Sequence, residues 1–119
     1  MAVKLKRAYE PAAAEDGLRY LVERLWPRGV SRKDLKLTKW LRDIAPSTDL
    51  RKWYGHADDR WSEFRRRYRK ELRAPDKQQI VHSLAQEART RSVTLVFATK
   101  DVERSGASVL KSVIQDVRV

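Results

Sequence analysis

The segment formed by residues 93–99 constrains the fold of this chain more than any other. It is apolar at nearly every position rather than at alternate positions, which is typical of a strand that is covered on both faces. Residues 3–7 alternate apolar and basic side chains and predict a half-buried strand, and residues 18–25 predict another. Strands that are apolar on both faces occur mainly in parallel sheets flanked by helices, so the sequence favours an α/β protein.

Helical patterns occupy most of the remaining chain. Apolar residues recur at helical spacing over 37–44, which predicts a short helix that Ser31 opens and that ends before Pro46. Four more helices are predicted at 47–55, 58–72, 75–88 and 105–114. Caps support these bounds, because Ser47 suits a helix start, Gly55 suits a helix end and Pro75 suits a first turn.

The order of these elements predicts a small, mostly parallel sheet of three strands or more, covered by about five helices. A length of 119 residues and a hydrophobic content of 41% suit one domain over residues 1–119 with one modest core. The connection at 8–17 is short for a parallel crossover and long for a hairpin. From the residues alone, the first strand can therefore be parallel or antiparallel.

Several classes of function lose their support. The chain has no cysteine, which excludes disulfides, thiolate metal sites and a cysteine nucleophile. Its histidines, His56 and His82, lie far apart, so we expect no metal, and no nucleotide-binding or hydrolase motif predicts a cofactor. No segment is apolar enough to span a bilayer or to form a signal peptide. We expect a cytoplasmic protein without a membrane partner, and its oligomeric state stays open.

Candidate ligand-binding residues follow the predicted strands. Ligands of open parallel sheets bind outside the carboxyl ends of the strands. Eight side chains with suitable chemistry follow the three strands: Arg7, Tyr9, Glu23, Arg24, Trp26, Arg28, Lys100 and Asp101. If the first strand is antiparallel, Arg7 and Tyr9 leave this group.

The chemistry of these residues is compatible with two roles, one functional and one structural. Arg24 and Arg28 present planar forks for phosphate or carboxylate, or they form internal ion pairs with Glu23 or Asp101. Lys100 and Asp101 form either an acid–base pair or a salt bridge at a strand end.

Two more positions near the strand ends are ambiguous. Trp26 precedes a proline and more often packs than stacks on a ligand. Ser105 begins the last helix and offers a weak anion-binding motif.

A basic segment is the second candidate site. The chain has 27 Lys and Arg against 16 Asp and Glu, for a formal net charge of +11, which attracts phosphate backbones. Seven basic residues fall within or directly after the helix predicted at 58–72: Arg60, Arg65, Arg66, Arg67, Arg69, Lys70 and Arg73. They predict a nucleic-acid surface if Trp53, Tyr54 or Trp61 can stack on bases. The default reading is a solvated helix face, and no known nucleic-acid-binding motif accompanies the segment.

Several short motifs resemble one known family. They are Asp16-Gly17 with Arg19, the run LWPRG at 25–29, Trp40, APS at 45–47, LRKW at 50–53, Phe64 with Tyr68, Glu71-Leu72 and Thr94-Leu95. Over residues 7–110 the chain resembles the DUF488 family, in its short YeaO-like branch, whose biochemical role is not established. Longer members place a helix after the first strand, so the resemblance implies a parallel first pair with an abbreviated crossover.

Two departures from the family pattern bear on function. The family typically has aspartate where this chain has Glu23, and His-Asn or at least Asn where it has Arg104-Ser105. Arginine does not deprotonate near neutrality, so an acid–base role at position 104 is lost, whereas a binding role survives. The resemblance therefore favours binding of a small anionic or phosphorylated ligand. The residues expected to bind it are Arg7, Tyr9, Arg24, Trp26, Arg28, Lys100, Arg104 and Ser105, with Glu23 and Asp101 as acid–base groups if there is catalysis.

Overall fold

The protein forms a four-stranded parallel sheet with helices packed mainly on one face. The computed structural model describes residues 2–55 and 57–118. The strands are β1 (Ala2–Arg7), β2 (Leu18–Leu21), β3 (Lys39–Trp40) and β4 (Ser92–Phe97), in the order β1-β4-β2-β3. The helices are α1 (Arg32–Leu35), α2 (Thr48–Tyr54), α3 (Trp61–Glu71), α4 (Pro75–Thr90) and α5 (Gly106–Gln115), with short 3-10 turns at Ala14–Asp16, Arg42–Ile44 and Asp58–Arg60. The predicted α/β class is confirmed.

The first connection resolves the question that the sequence left open. β1 and β2 are both parallel to β4, which lies between them, so the two strands never pair with each other. One 3-10 turn, Ala14–Asp16, replaces a crossover helix. Gly17 has a φ of +64° and its Cα lies against the carbonyl of Ser92, so only glycine allows the chain to enter β2 this close to β4.

The larger core covers the helical face of the sheet. α4 and α5 pack on β1 and β4, and α3 packs on α5. Leu95 and Val93 are fully buried there, as are Leu110 and Val81 from the covering helices. Burying a leucine or valine of this kind stabilises the fold by about 1.5–3 kcal/mol, so β4 is the best-anchored strand.

The opposite face has a smaller core and a polar centre. Ala8, Leu21, Leu35 and Val96 form an apolar cluster with Trp26 and Trp40. β4 is therefore covered on both faces, as expected, but helices cover mainly one of them and loops with the short α1 cover the other.

The polar centre on this face is the buried carboxylate of Asp16. It accepts hydrogen bonds from the Ala13 N–H, from Lys6 Nζ at 3.1 Å and from Arg19 Nη1 at 2.7 Å. Burial raises the pKa of Asp16, but these donors more than offset it, so the net pKa is lowered. Thr94 Oγ1 donates to the Asp16 carbonyl at 2.7 Å. The Asp16-Gly17 and Arg19 motif is thus a structural connector.

The predicted helix at 37–44 is wrong. Thr38 donates its N–H to the Arg19 carbonyl at 2.7 Å, and Leu41 donates to the Leu21 carbonyl at 2.8 Å. These bonds add β3 to the edge of β2, and only a 3-10 turn follows at Arg42–Ile44. An open strand edge offered these backbone groups partners that a short isolated helix could not match, so tertiary pairing overrode the local pattern.

A hydrogen-bonded corner fixes α2 against α3. Ser47 caps α2 by accepting the Leu50 N–H at 3.2 Å. Its own N–H and hydroxyl donate to the two carboxylate oxygens of Glu71, at 2.8 and 2.6 Å. The rings of Tyr54 and Phe64 stack with centroids 4.3 Å apart. The APS and Glu71-Leu72 motifs are therefore two sides of one contact.

No helix within the described residues is both long and apolar enough to cross a membrane.

Candidate functional site

A cavity of about 300 Å³ opens at the carboxyl edge of the sheet. β2 leads into it through Val22 and Glu23, and β4 leads into it through Ala98 and Thr99. Its other lining residues come from α2, α3 and the start of α5: Pro46, Arg51, Tyr54, Phe64, Arg104, Ser105, Gly106 and Ala107. The site therefore lies where parallel-sheet topology predicts it.

Two polar side chains shape the interior of this cavity. Glu23 Oε1 accepts the Ala98 N–H at 3.2 Å, which joins the ends of β2 and β4. The Tyr54 hydroxyl donates to the Arg104 carbonyl at 3.2 Å. Burial raises the pKa of Tyr54, and the negative charges of Asp101 and Asp58 raise it further. Tyr54 is therefore a neutral hydrogen-bonding group at physiological pH.

Two arginines bring positive charge to the cavity from different elements. Arg51 is an exposed residue of α2, and Arg104 precedes α5. Arg104 Nη1 lies 3.0 Å from Asp58 Oδ1, and both side chains are largely in solvent. An exposed ion pair of this kind contributes about 0–1 kcal/mol, so it gives way readily to a stronger anion.

The start of α5 is capped by its own side chains. Ser105 Oγ accepts the Ser108 N–H at 3.2 Å and donates to the Val102 carbonyl at 2.7 Å. Ser105 is buried, so its hydroxyl serves the helix cap. A Cβ at Gly106 would lie 3.1 Å from the ring of Pro46, so glycine allows α5 to approach the APS corner.

Two of the predicted binding arginines hold the walls of the cavity. Arg7 donates to the Ala98 and Thr99 carbonyls, at 2.9 and 3.2 Å. Arg24 donates to the Pro46 and Ala45 carbonyls, at 2.8 and 3.2 Å. Each guanidinium thus ties two successive carbonyls of a loop that lines the site.

The other predicted residues lie outside this cavity. Trp26 packs edge-on against Trp40, with ring centroids 5.5 Å apart, and donates to the Val30 carbonyl at 2.6 Å. Asp101 accepts the Arg104 N–H at 3.2 Å, which shapes the loop before α5. The remaining three side chains are exposed: Tyr9, Arg28 and Lys100. Of the predicted set, the structure brings only Glu23, Arg104 and Ser105 into the cavity lining.

Sequence reasoning missed Arg51 and did not assign Tyr54 to this cavity. The two residues are three apart on α2, so they share one side of that helix. Tyr54 was considered for stacking on bases, but it is buried against Phe64 and Trp61. Residue spacing within LRKWY could have signalled a shared face, but not which neighbour that face contacts.

A second, more open groove of about 960 Å³ lies between α2 and α3. Leu50, Trp53 and Ala74 provide apolar lining, and Arg67, Lys70 and Arg73 provide positive charge. Arg67 Cζ lies 4.2 Å from the centroid of the Trp53 ring.

The basic side chains of the predicted helix point in several directions and contact different partners. Arg66 and Arg67 both bond to Glu63, and they lower the pKa of Glu63 to about 2. Arg69 donates to Ser112 Oγ at 2.8 Å on the α5 side. Arg60 donates to the Trp53 carbonyl. The side chains of three of the seven make no hydrogen bond or ion pair within residues 2–55 and 57–118: Arg65, Lys70 and Arg73.

Metal-binding side chains do not cluster in the described part of the chain, where no group of three His, Cys, Asp or Glu could hold an ion. His56 lies outside the described residues, so its predicted position in a turn is not addressed.

Comparison with known proteins places these features in a family. Residues 2–118 match the family described as the Inactive DUF488-N3 subclade. The uncharacterized protein Rv3073c of Mycobacterium tuberculosis is 39% identical over 118 residues, covering 94% of this chain and 92% of the relative. The uncharacterized protein YeaO of Escherichia coli is 40% identical over 111 residues, covering 92% of this chain and 94% of the relative. No solved structure matches the chain.

Proposed function

The chain belongs to the DUF488 family, and we propose that it binds a small anionic or phosphorylated ligand in the cavity at the carboxyl edge of its sheet. The observation that carries this proposal is the convergence of Arg51 and Arg104, from two separate elements, on one cavity of about 300 Å³. Guanidinium groups suit phosphate and carboxylate because each can donate two parallel hydrogen bonds.

Binding without catalysis suits the chemistry of this cavity. Arg104 and Ser105 stand where the family typically has His-Asn or at least Asn, and Ser105 is committed to the α5 cap. The matching subclade is described as inactive. Glu23 and Asp101, the acid–base candidates, each accept a backbone N–H that holds the loops in place. The cavity therefore offers cations to a ligand, while its Glu23 and Ser105 side chains bond to the backbone.

The test is calorimetric titration with inorganic phosphate, pyrophosphate and AMP. We expect Arg51→Met and Arg104→Met each to weaken binding about tenfold, which corresponds to about 1.4 kcal/mol. Arg28→Met is the matched control, because it removes the same charge from an exposed position outside the cavity. It should leave the affinity within about twofold.

Two results would contradict the proposal. One is the absence of binding by all three compounds up to about 10 mM. Titration to this concentration would detect even a dissociation constant of about 1 mM, which corresponds to a binding free energy of about −4 kcal/mol. The other is an equal loss of affinity in all three variants, since that would indicate attraction by net charge alone.

A second candidate function, nucleic-acid binding through the basic segment, is favoured by the exposure of Arg65, Lys70 and Arg73 together with the net charge of +11. Fluorescence anisotropy with duplex DNA, single-stranded DNA and RNA over a salt series tests it. A triple Arg65, Arg66 and Arg67→Ala variant should bind more weakly, because phosphate contacts dominate such affinity. No binding to any of the three at low salt would exclude this function.

A further inference from the structure

The groove between α2 and α3 combines an apolar surface with positively charged side chains. Its apolar lining includes the ring of Trp53, and its charged lining includes Lys70 and Arg73, whose side chains make no hydrogen bond or ion pair to the residues that the structure describes. Flat apolar surface and free positive charge side by side match a ligand that carries planar rings on a charged backbone.

We propose that this groove is a binding site for a single-stranded polynucleotide, with phosphates on Lys70 and Arg73 and bases against the Trp53–Arg67 pair. The proposal rests on the second candidate function, nucleic-acid binding, and assigns it a location and a strand type.

Arg67 and Trp53 form a prearranged stack of planar groups, and Arg60 Cζ also lies over the Trp53 ring, 5.3 Å from its centroid. The Arg67 guanidinium lies over the indole, with Cζ 4.2 Å from the ring centroid, while its Nε donates to Glu63 Oε2 at 2.8 Å. Two anchors therefore hold this planar group in place. Guanidinium planes and indole rings both stack on nucleobases without preference for sequence. Ordering costs are lower when such a surface exists before binding.

The arrangement of charge favours a single strand over a duplex. Arg66, Arg69 and Arg65 leave α3 on sides other than the groove, so the seven basic residues do not form one broad patch for a duplex backbone. Arg67 and Lys70 are three residues apart and follow the groove with a rise of about 4.5 Å. Base faces are accessible in a single strand, whereas a duplex stacks them internally.

An acidic peptide fits this groove less well. The fork of Arg67 is already engaged by Glu63. Carboxylate-rich chains would therefore use the cations but gain nothing from the stacking surface.

The experiment compares two variants that each remove two positive charges. Lys70→Ala with Arg73→Ala changes exposed groove residues, and Arg65→Ala with Arg89→Ala changes exposed residues outside the groove. Fluorescent oligo-dT, oligo-U and a duplex are titrated over a salt series, and circular dichroism verifies that each variant is folded. We expect the groove variant to lose at least about tenfold in affinity for both single strands and to lower the salt slope by about 1.4. The control variant should lose less than about threefold.

A further pair of variants isolates stacking from charge. Trp53→Leu removes the flat ring and should weaken single-strand binding by about fivefold or more, while Trp53→Phe retains a ring and should retain most of the affinity. Because neither changes the net charge, a loss specific to Trp53→Leu supports the proposed contact.

The remaining outcomes overturn the proposal in distinguishable ways. Equal losses in the two double variants, or tighter binding to the duplex than to both single strands, would exclude the groove while leaving nucleic-acid binding intact. Displacement of the oligonucleotide by poly-glutamate at equal charge concentration would indicate an acidic protein partner instead. No binding to any nucleic acid would exclude both the groove and the candidate function on which it rests.

Discussion

The cavity at the carboxyl edge and the groove between α2 and α3 use arginine in opposite ways. At the cavity, Arg7 and Arg24 donate to backbone carbonyls and hold the walls. At the groove, the side chains of Lys70 and Arg73 make no hydrogen bond or ion pair to described residues, and Arg67 is held flat on Trp53. The number of basic residues near a site therefore says little about its ligand, because what matters is which cations already have a partner.

The largest expected effect separates wall arginines from lining arginines. Arg24→Ala should lower the free energy of unfolding by about 2–3 kcal/mol, because the Pro46 and Ala45 carbonyls lose their charged donor. Arg51→Ala should change it by less than about 0.5 kcal/mol, since Arg51 is exposed. Urea denaturation measures both. Equal changes in the free energy of unfolding would contradict the assignment of Arg24 to the cavity wall and Arg51 to the cavity lining.

A smaller effect is expected from the neutral hydroxyl in the cavity. Tyr54→Phe should lower the free energy of unfolding by about 1 kcal/mol, because the Arg104 carbonyl loses its hydrogen bond from the hydroxyl. Tyr9→Phe is the matched control, with an exposed ring, and should stay within about 0.5 kcal/mol of the wild type. Equal stability of the two variants would contradict this prediction, because it would show that the hydrogen bond to Arg104 does not stabilise the fold.

The smallest expected effect is a pH dependence of stability. It distinguishes the two regions because a carboxylate bonds to the arginines at the groove, whereas backbone carbonyls bond to Arg7 and Arg24 at the cavity. Glu63 in the folded protein has a pKa lowered from 4.5 to about 2 by its bonds to Arg66 and Arg67. A lowered folded-state pKa stabilises the protein above the unfolded pKa, and this contribution is lost as the pH falls from about 4.5 towards 2. Thermal unfolding should therefore show a small stability advantage of the wild type over Glu63→Gln at pH 7 that shrinks across this window.

The cavity walls provide the contrast for that measurement. Backbone carbonyls do not titrate, so the stability difference between the wild type and Arg24→Ala should be the same at pH 7 and near pH 4. A wild-type advantage over Glu63→Gln that persisted undiminished below pH 2 would show that the Arg67 contact does not depend on the carboxylate charge.

The sequence predicted the elements whose apolar residues recur with a clear period. β1, β2, β4 and helices α2 to α5 were all predicted, because their apolar periodicity matches what their neighbours cover. β3 was missed since two residues are too few to display a period, and its backbone bonds to β2 are a tertiary property. Parallel topology directed attention to the carboxyl edge of the sheet, and a cavity lies at that edge.

The partners of individual side chains could not be predicted in the same way. Arg24 was expected to contact a ligand or a carboxylate, but backbone carbonyls, which every residue carries, proved to be its partners. The basic segment was treated as one surface, whereas successive residues of a helix point about 100° apart and so meet different neighbours. Arg67, Arg69 and Arg65 accordingly face the groove, α5 and solvent.

The position of β4 has a consequence for how the protein folds during its synthesis. β1 precedes the other three strands in the sequence, yet its partner along its whole length is β4, with Ala2 opposite Ser92 and Arg7 opposite Phe97. Until that late segment is synthesised, β1 has no neighbour and β2 has only the two residues of β3. Pairings of such long sequence separation form slowly and leave apolar surface uncovered in the meantime. A nascent chain stopped before residue 92 therefore lacks the strand that joins β1 to β2, and folding of this domain waits until β4 has been synthesised.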